Sequence, residues 1–355
     1  VIDMFFLTNV RYGTHTEAGK KAGTWLADGF FGVLWAIQGD LDYTANMLGL
    51  PHFRSVSGPC TLCRCTSAGA LSWTNFSLYA PWVSQCWTHI EWLLWENRSR
   101  NQLFTIPGVS GLTVALDWMH AKYLGLDQYM FGSVLFILCH FVMGGSPAEN
   151  MASRWAFIQQ FYKTNRTAYR YRYLNKLSMF VRKNSNFPKL RGKAAEIKDF
   201  GPALMALWRQ HMRPVKIHQM IHLMLKLNVQ LESILTEHKN EIVLPTEAAN
   251  CFRDAAFSIC QLQSQIAQHF IEQSAECGSK LFDVTSKTHF VLHCALLARF
   301  INPRVVWCFT GEDFMHKSQV VAQSCVKGHN GAQATSKMCH HFRLGMHLQF
   351  RKHEE

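Results

Sequence analysis

The stretch that most constrains this chain is 33–63, in which one short apolar run is followed by an acidic residue and then by a cysteine pair. The run Val33–Ile37 is rich in apolar, strand-forming residues and predicts a buried strand. Asp40 stands at the end of that strand, where a carboxylate is placed to bind a divalent cation. Cys60 and Cys63 form a Cys-x-x-Cys pair, which supplies two thiolates at a spacing suited to zinc. Residues elsewhere in the chain are expected to complete each half-site.

Composition predicts a basic protein with reduced cysteines. The 355 residues are 48% hydrophobic, enough for one large core or two ordinary domains. A net charge of +12 indicates a polyanionic partner. The 12 cysteines are too sparse and irregular for a secreted disulfide scaffold and predict free or metal-bound thiols. The longest apolar run, Met130–Gly145, is shorter than the roughly 20 residues of a membrane span, so no membrane association is expected. Because the chain begins with Val, it is expected to be a fragment.

Helical periodicity dominates from Asp127 onward. Apolar residues at i, i+3, i+4 and i+7 predict helices over Gln128–Val142, Pro147–Thr164, Lys193–Met212, Lys216–His238 and Thr246–Glu276. A second short strand is predicted at Val305–Phe309, followed by a helix. The tail from Lys327 is rich in Gly, His and basic residues and is predicted to be loosely ordered. The tryptophan-rich stretch Trp73–Trp95 is interpreted as helix and loop over an apolar surface, not as a ligand cage.

Two pairs of histidines compete to complete the cysteine half-site. His289 and His293 lie one helical turn apart, so their imidazoles project from the same face. His218 and His222 have the same spacing, and periodicity leaves both pairs open. A further interpretation is that these histidines are ordinary helix-surface residues. The competing thiols are Cys65, Cys139, Cys251 and Cys260.

The candidate catalytic acids are those that follow apolar segments. Phosphoryl transfer on nucleic acids commonly uses two divalent ions, such as Mg²⁺ or Mn²⁺, roughly 4 Å apart and held by several carboxylates. Asp40 follows the first predicted strand, and Glu312 follows the second. Asp42 competes with Asp40 as the ligand. The possible auxiliary residues are Asp3, Asp117, His120 and Asp313.

A basic segment extends from residue 163 to residue 198, with eleven Lys and Arg against one acid, Glu196, an excess of ten. Tyr169, Tyr171 and Tyr173 lie among these charges. Basic side chains neutralise phosphates and aromatic rings stack on exposed bases, so contact with nucleic acid is predicted. The alternative is a solvated basic face with its tyrosines packed inward. The basic residues are Lys163, Arg166, Arg170, Arg172, Lys176, Arg182, Lys183, Lys189, Arg191, Lys193 and Lys198.

Three blocks of sequence resemble one family of DNA transposases. WAIQGDLDYTANMLG with the following PCTLC looks like the segment around the second catalytic aspartate of CACTA (En/Spm)-like DDE transposases. LDWMHAKYLGLDQYMFGSVL is similar to that family's Asp-x-Met-His segment. HFVLHCALLARFINPRVVWCFTGEDFMHKSQ is similar to its closing block, in which His-x-x-x-His precedes the catalytic Glu. The V(D)J recombinase core resembles the same arrangement.

This resemblance implies an α+β, predominantly helical chain, with a partial RNase H-like core (a mixed sheet) interrupted by a large helical insertion. It divides the chain into RNase H-like strands at 1–58, a zinc-linked helical domain at 59–295, and a last core strand with a Glu-bearing helix and basic tail at 296–355. It also favours His289 and His293 over the other histidine pair as partners of the two cysteines for a structural Zn²⁺.

The activity implied by the resemblance is metal-dependent cleavage and transfer of DNA strands, with Asp40 and Glu312 as ligands of Mg²⁺ or Mn²⁺. DNA is the implied partner, a homo-oligomer on DNA ends the implied assembly, and the nucleus the implied location. The family's first aspartate is expected to be missing, because only 37 residues separate Asp3 from Asp40. Asp117 is assigned an auxiliary role, since His120 is expected to hydrogen-bond to it. The alternatives are an inactive, domesticated DNA- or protein-binding protein with structural zinc, and a zinc-stabilised helical adaptor.

Overall fold

The computed structural model describes residues 34–96, 98–181, 186–272, 280–326 and 333–354. Nearly all of their regular structure is helical. The chain forms two compact units, Val1–Val306 and Trp307–Glu355.

The predicted mixed sheet of an RNase H-like core is wrong, because the described residues contain no β-strand and only isolated bridges. In the first expected strand, Val33 lies outside the described residues and only Ile37 is paired, in parallel, with Val114. Ile37 donates its N–H to the Thr113 carbonyl oxygen at 3.1 Å and accepts the Ala115 N–H at 3.0 Å. The pairing does not extend further. In the first segment Asp40 already caps a helix, and in the second a 3₁₀ turn at Gly111–Thr113 directly precedes Val114.

The second expected strand, Val305–Phe309, is also wrong. Residues 303–306 form turns and a bend, and a helix begins at Phe309. The buried side chain of Asn302 explains the turn, since its Nδ2 donates to the His238 and Glu241 carbonyls at 2.9 and 3.0 Å while its Oδ1 accepts the Arg304 N–H at 3.0 Å. These hydrogen bonds hold the backbone in a turn that sheet pairing would have to break.

Short helices and turns make up the first part of the first unit. The helices are α1 (Leu41–Asn46), α2 (Pro81–Ser84) and α3 (His89–Leu94). Their apolar residues form a small core that includes Ile37, Leu50, Trp92 and Val114. This core holds the Asp40 segment beside the segment that leads to Asp117.

A long, mostly buried helical run follows. It begins as a π-helix at Met119–Leu126, continues as α4 (Asp127–Ile137), and ends in a π-helical turn at Leu138–Val142. Met119–Val142 is long and apolar enough to cross a membrane by length and composition, but 78% of the apolar window is buried inside the protein. The apolar residues are therefore satisfied by packing within the first unit.

Four helices follow this run along the chain. They are α5 (Pro147–Thr164), α6 (Ala194–His211), α7 (Lys216–Glu237) and α8 (Thr246–Glu272). Their periodicity-based predictions are confirmed to within a residue or two, apart from 273–276, which lies outside the described residues. Neighbouring helices pack in chain order, with α7 against both α6 and α8.

The last helix of the first unit, α9 (Ser286–Leu297), is buried on nearly every side. It packs against the π-helix at 119–126 and against α8. A helix enclosed in this way has no solvated face, which explains why its hydrophobic residues show almost no amphipathic pattern.

The second unit is a pair of helices, α10 (Phe309–Val326) and α11 (Ala334–Glu354). Phe314 and Phe342 pack edge to face across the pair, with ring centroids 5.8 Å apart. The expectation of a loosely ordered tail from residue 327 is wrong for 334–354, which are helical.

Candidate metal centre

The Cys60–Cys63 loop is held by backbone hydrogen bonds on both sides. The Leu62 N–H donates to the Cys60 sulfur at 3.3 Å. Next to it, Cys63 forms an antiparallel bridge with Cys86. The Trp87 N–H donates to the Leu62 carbonyl at 2.9 Å. These contacts hold the backbone of the loop that carries the two thiols.

The histidines arrive from a distant part of the chain. His289 and His293 occupy successive turns of α9 and both are turned inward, each no more than 2% exposed. His289 Nε2 lies 3.3 Å from the Cys63 sulfur, and His293 Nε2 lies 3.2 Å from it. The two Nε2 atoms are 3.1 Å apart. Both imidazoles therefore offer the same nitrogen to one point.

These four side chains form a site with the dimensions of a tetrahedral metal centre. Each of the four ligand atoms on Cys60, Cys63, His289 and His293 lies within 4.8 Å of the other three, and all four residues are buried. Metal–sulfur bonds of about 2.3 Å and metal–nitrogen bonds of about 2.0–2.1 Å give a tetrahedron with edges of roughly 3.3–3.8 Å. The sulfur–nitrogen and nitrogen–nitrogen distances are close to those edges. The group could hold a structural metal ion such as zinc.

Trp82 closes one side of the centre. Its ring centroid lies 4.4 Å from that of His289 and 5.2 Å from that of His293, and its indole N–H donates to the Asn75 carbonyl at 2.8 Å. Phe257 of α8 stacks on the same indole at 6.4 Å. Trp82 is fully buried, so it excludes water from this face. No periodic signal marks this role, and Trp82 belongs to the stretch Trp73–Trp95, which was interpreted as helix and loop over an apolar surface.

The electrostatics of the thiols favour binding of a cation. Burial raises the pKa of the Cys60 thiol, but hydrogen bonds from Cys63 and Cys65, together with the neighbouring His293 and His289, hold that pKa well below its usual value. Hydrogen bonds to Cys60 and Cys65 raise the pKa of Cys63. Burial lowers the pKa of His289, which keeps its imidazole in the neutral form that binds metals.

The competing ligands lie elsewhere in the fold, with one exception. His218 Nδ1 accepts the Arg213 N–H at 2.9 Å, and neither it nor His222 belongs to the four-residue group. Cys139 contacts the Met151 sulfur at 3.8 Å. Cys65 is the exception, since it is fully buried and hydrogen-bonds to Cys60 and Cys63. The described cysteines form no disulfide.

Asp40 and Asp117 lie at the same end of the paired segments, each three residues beyond a bridged residue. Asp40 caps α1 and accepts the Tyr43 N–H at 2.6 Å. Asp117 is buried; it accepts the Met119 N–H at 3.0 Å and pairs with the His120 imidazole, which confirms the expected local hydrogen bond. Within the described part of the first unit, Asp40 belongs to no group of three metal-ligating side chains. Magnesium binding there is unsupported.

The remaining predicted acids cannot complete that site within the first unit. Glu312 and Asp313 lie in the first turn and a half of α10, in the second unit. Asp42 is exposed on α1. Asp3 lies outside the described residues. The proximity of Asp40 and Glu312 therefore stays a prediction.

The basic segment follows α5 and reaches the start of α6. Most of its described Lys and Arg are exposed, whereas Lys189 is partly buried and its ammonium lies 4.9 Å from the Tyr129 ring centroid. Arg182 and Lys183 lie outside the described residues. The exposed members are Lys163, Arg166, Arg170, Arg172, Lys176, Arg191 and Lys193. The three tyrosines differ, because Tyr171 is buried while Tyr169 and Tyr173 are exposed.

No family model, no curated protein and no solved structure matches this chain.

Proposed function

We propose that this chain is a zinc-stabilised, DNA-binding region of a transposase-type protein. The observation that supports the proposal most strongly is the meeting of Cys60 and Cys63 with His289 and His293, more than 220 residues along the chain. The resemblance to CACTA-like transposases implies this ligand set and this order. The helical period alone left a second histidine pair equally open.

Zinc is the proposed ion because of the donor set and its burial. Two sulfurs and two imidazole nitrogens in a tetrahedron are typical of structural zinc, whereas Mg²⁺ and Ca²⁺ prefer oxygen ligands. A catalytic zinc site keeps an open position for water, but here Trp82 and α9 enclose the ligands. Zinc would therefore link the Cys60–Cys63 loop to α9 and stabilise the fold of the first unit.

DNA is the proposed partner because the positive charge is concentrated and accessible. Arg170, Arg172 and Lys176 are exposed within seven residues of one another. Every phosphate neutralised by such a side chain releases condensed counterions, which gives an affinity that falls steeply with salt. The nearest acids, Glu196 and Asp199, are engaged by backbone N–H groups of Lys193 and Tyr169. Asp199 also pairs with Lys198, so the two acids offset part of the charge of the segment, whose eleven Lys and Arg leave it strongly positive.

Strand cleavage is a second candidate function, supported by the resemblance and by the position of two acids. The described carboxylates of the first unit do not form a magnesium site by themselves, so no catalytic step is assigned to them. The aligned positions of Asp40 and Asp117 at one end of the paired segments favour keeping this candidate. Nicking of supercoiled plasmid in Mn²⁺ that is lost in Asp40→Asn would support it; equal nicking by both proteins would point to a contaminating nuclease.

The test of DNA binding is reversal of charge in the basic segment. The triple variant Arg170→Glu, Arg172→Glu, Lys176→Glu should weaken binding of a duplex and reduce the slope of log affinity against log salt. Each lost phosphate contact is expected to change that slope by about 0.9, so three contacts give a change of roughly 2–3. The measurement is fluorescence anisotropy of a labelled duplex between 50 and about 200 mM salt.

The matched control places the same three reversals on α7 and the turn after it, at the exposed residues Lys216, Lys226 and Lys239. This control has the same net charge as the test variant. Equal losses of affinity in the two triple variants would show that the overall charge of the protein, and not the basic segment, determines DNA binding. An unchanged affinity in the test variant would remove the segment from the proposal.

A further inference from the structure

Within the basic segment, aromatic rings alternate between the protein interior and solvent. Tyr171 is 4% exposed, whereas Tyr169 and Tyr173, two residues to either side of it, are 58% and 63% exposed. We infer that Tyr169 and Tyr173 form a stacking surface for unpaired nucleotides of DNA. This inference rests on the proposed DNA-binding function and specifies its substrate.

The backbone that carries these two rings is anchored from beneath. Tyr171 packs edge to face on Phe200 of α6, with centroids 5.7 Å apart. The Tyr169 N–H donates to the Asp199 carboxylate at 3.0 Å. Leu174 is fully buried on the other side. The two tyrosines are therefore held outward by a fixed backbone, and little further ordering is needed when a ligand binds.

A glycine completes this anchor. Gly192 has φ +158°, and a Cβ at that position would lie 2.2 Å from the Tyr171 hydroxyl oxygen. Only a residue without a side chain lets the 192 backbone approach the buried ring so closely. The close approach keeps the Tyr171 ring in the interior, while the rings of Tyr169 and Tyr173 lie at the surface.

The charges around the exposed rings suit a polyanionic strand. Arg170 and Arg172 alternate with the tyrosines and are exposed, and Lys176 follows them. The Arg172 guanidinium lies 5.7 Å from the Tyr173 ring centroid, close enough for a cation–π contact. Positive side chains interleaved with exposed rings are the pattern by which proteins bind a phosphate backbone and stack its bases.

Unpaired DNA is favoured over a duplex because the two exposed rings can stack only on bases whose faces are accessible. A phenol ring stacks on the face of a base, and in a duplex those faces are covered by neighbouring base pairs. Tyr169 and Tyr173 are separated by four residues, which span at most about 14 Å. Both rings can therefore contact the same short stretch of single strand while the arginines neutralise its phosphates.

The experiment compares a labelled single strand of about 20 nucleotides with a duplex of the same sequence, using the full chain loaded with zinc. The variant Tyr169→Ala, Tyr173→Ala should bind the single strand at least tenfold more weakly and change duplex affinity by less than about twofold. Tyr169→Phe, Tyr173→Phe retains both rings and should retain single-strand affinity. Tyr79→Ala removes a tyrosine that is 94% exposed outside the segment and serves as the control.

Several results would overturn the inference. An unchanged single-strand affinity in the double alanine variant would exclude stacking, and an equal loss on duplex and single strand would assign the tyrosines to general backbone binding. If these variants behave like wild type while charge reversal still abolishes duplex binding, the stacking surface fails and the DNA-binding function stands. If wild type binds neither DNA, both fail, and a protein partner for the exposed rings is left.

Discussion

The most informative single substitution outside the metal centre is Lys122→Met, because Lys122 is a fully buried cation held by two carboxylates. Its Nζ lies 2.7 Å from Asp127 Oδ2 and 3.0 Å from Glu232 Oε1. Asn228 donates to the other Asp127 oxygen at 2.7 Å, and the Tyr123 hydroxyl donates to Glu232 at 2.9 Å. The network joins the π-helix, α4 and α7. Methionine would preserve the approximate volume and leave two carboxylates without their cation.

The expected loss of unfolding free energy at pH 7.5 is about 3–5 kcal/mol, the usual cost of leaving a buried charge unpaired. Burial raises the pKa of Asp127 to about 6, although Lys122 opposes that rise. A carboxyl group whose pKa is higher in the folded than in the unfolded state contributes stability at low pH and loses it as pH rises from about 4 through 6. Removing Lys122 raises this pKa further, so the variant should recover on acidification.

The deficit of the variant relative to wild type should therefore narrow by up to about 1.4 kcal/mol per pH unit as the pH falls from 7.5, and by less near pH 6, where Asp127 of the wild type also takes up a proton. Because the pKa of Lys122 is itself raised, loss of its own proton does not contribute in this range. The assay is urea unfolding followed by tryptophan fluorescence, with zinc present and wild type measured at each pH. Comparison with wild type cancels any pH dependence of the metal centre that the two proteins share.

Lys226→Met is the matched control, because Lys226 is exposed on α7. It should change stability by no more than about 0.5 kcal/mol at any pH. A Lys122→Met protein within 1 kcal/mol of wild type at pH 7.5, or a deficit that grows on acidification, would contradict the account of this network.

Two further substitutions test packing. Trp82→Ala should lower the free energy of unfolding by about 3–5 kcal/mol and weaken zinc retention against a chelator, because Trp82 covers both imidazoles. The control is Trp35→Ala, at an exposed tryptophan, which should have a small effect on both. Gly132→Ala should cost about 1–3 kcal/mol, since its Cβ would lie 2.9 Å from the Leu190 backbone nitrogen. Gly144→Ala meets nothing within 4 Å and should be neutral. Equal melting temperatures for wild type, Gly132→Ala and Gly144→Ala would refute the close-approach argument.

The long helices could be predicted because their signals are local. Ser146 accepts the Glu149 N–H and Pro147 occupies the first helical position, so both cap chemistry and periodicity mark the start of α5. The two expected strands could not be judged from such signals. Apolar runs at 33–37 and 305–309 fit strands in composition, but pairing depends on distant partners, and at the second run Asn302 imposes a turn instead.

The metal centre shows the same division between local and distant information. The Cys-x-x-Cys spacing and the one-turn histidine spacing each predicted half a site, but His218 and His222 matched the pattern equally well. Only the packing of α9 against the first part of the chain selects His289 and His293, and the resemblance to transposases had favoured them. The enclosure by Trp82 depends on tertiary packing and left no signal in the spacing, whereas Cys65, two residues after Cys63, was visible in the sequence as a competing thiol.

The surface of the basic segment was predicted in charge but not in detail. Eleven Lys and Arg in a short stretch are visible in the sequence. Which tyrosines face solvent depends on Phe200 and Gly192, which hold Tyr171 inside. The stacking surface follows from that arrangement, and sequence alone left both orientations open.

The central claim is that zinc on Cys60, Cys63, His289 and His293 joins two distant segments of the chain. Its most direct test is the metal content of protein purified under reducing conditions without chelator, measured by mass spectrometry. Wild type and His222→Ala are expected to carry about one zinc per chain, and Cys63→Ser and His293→Ala to carry little or none. Wild-type protein without zinc, or Cys63→Ser with its full content, would contradict the claim.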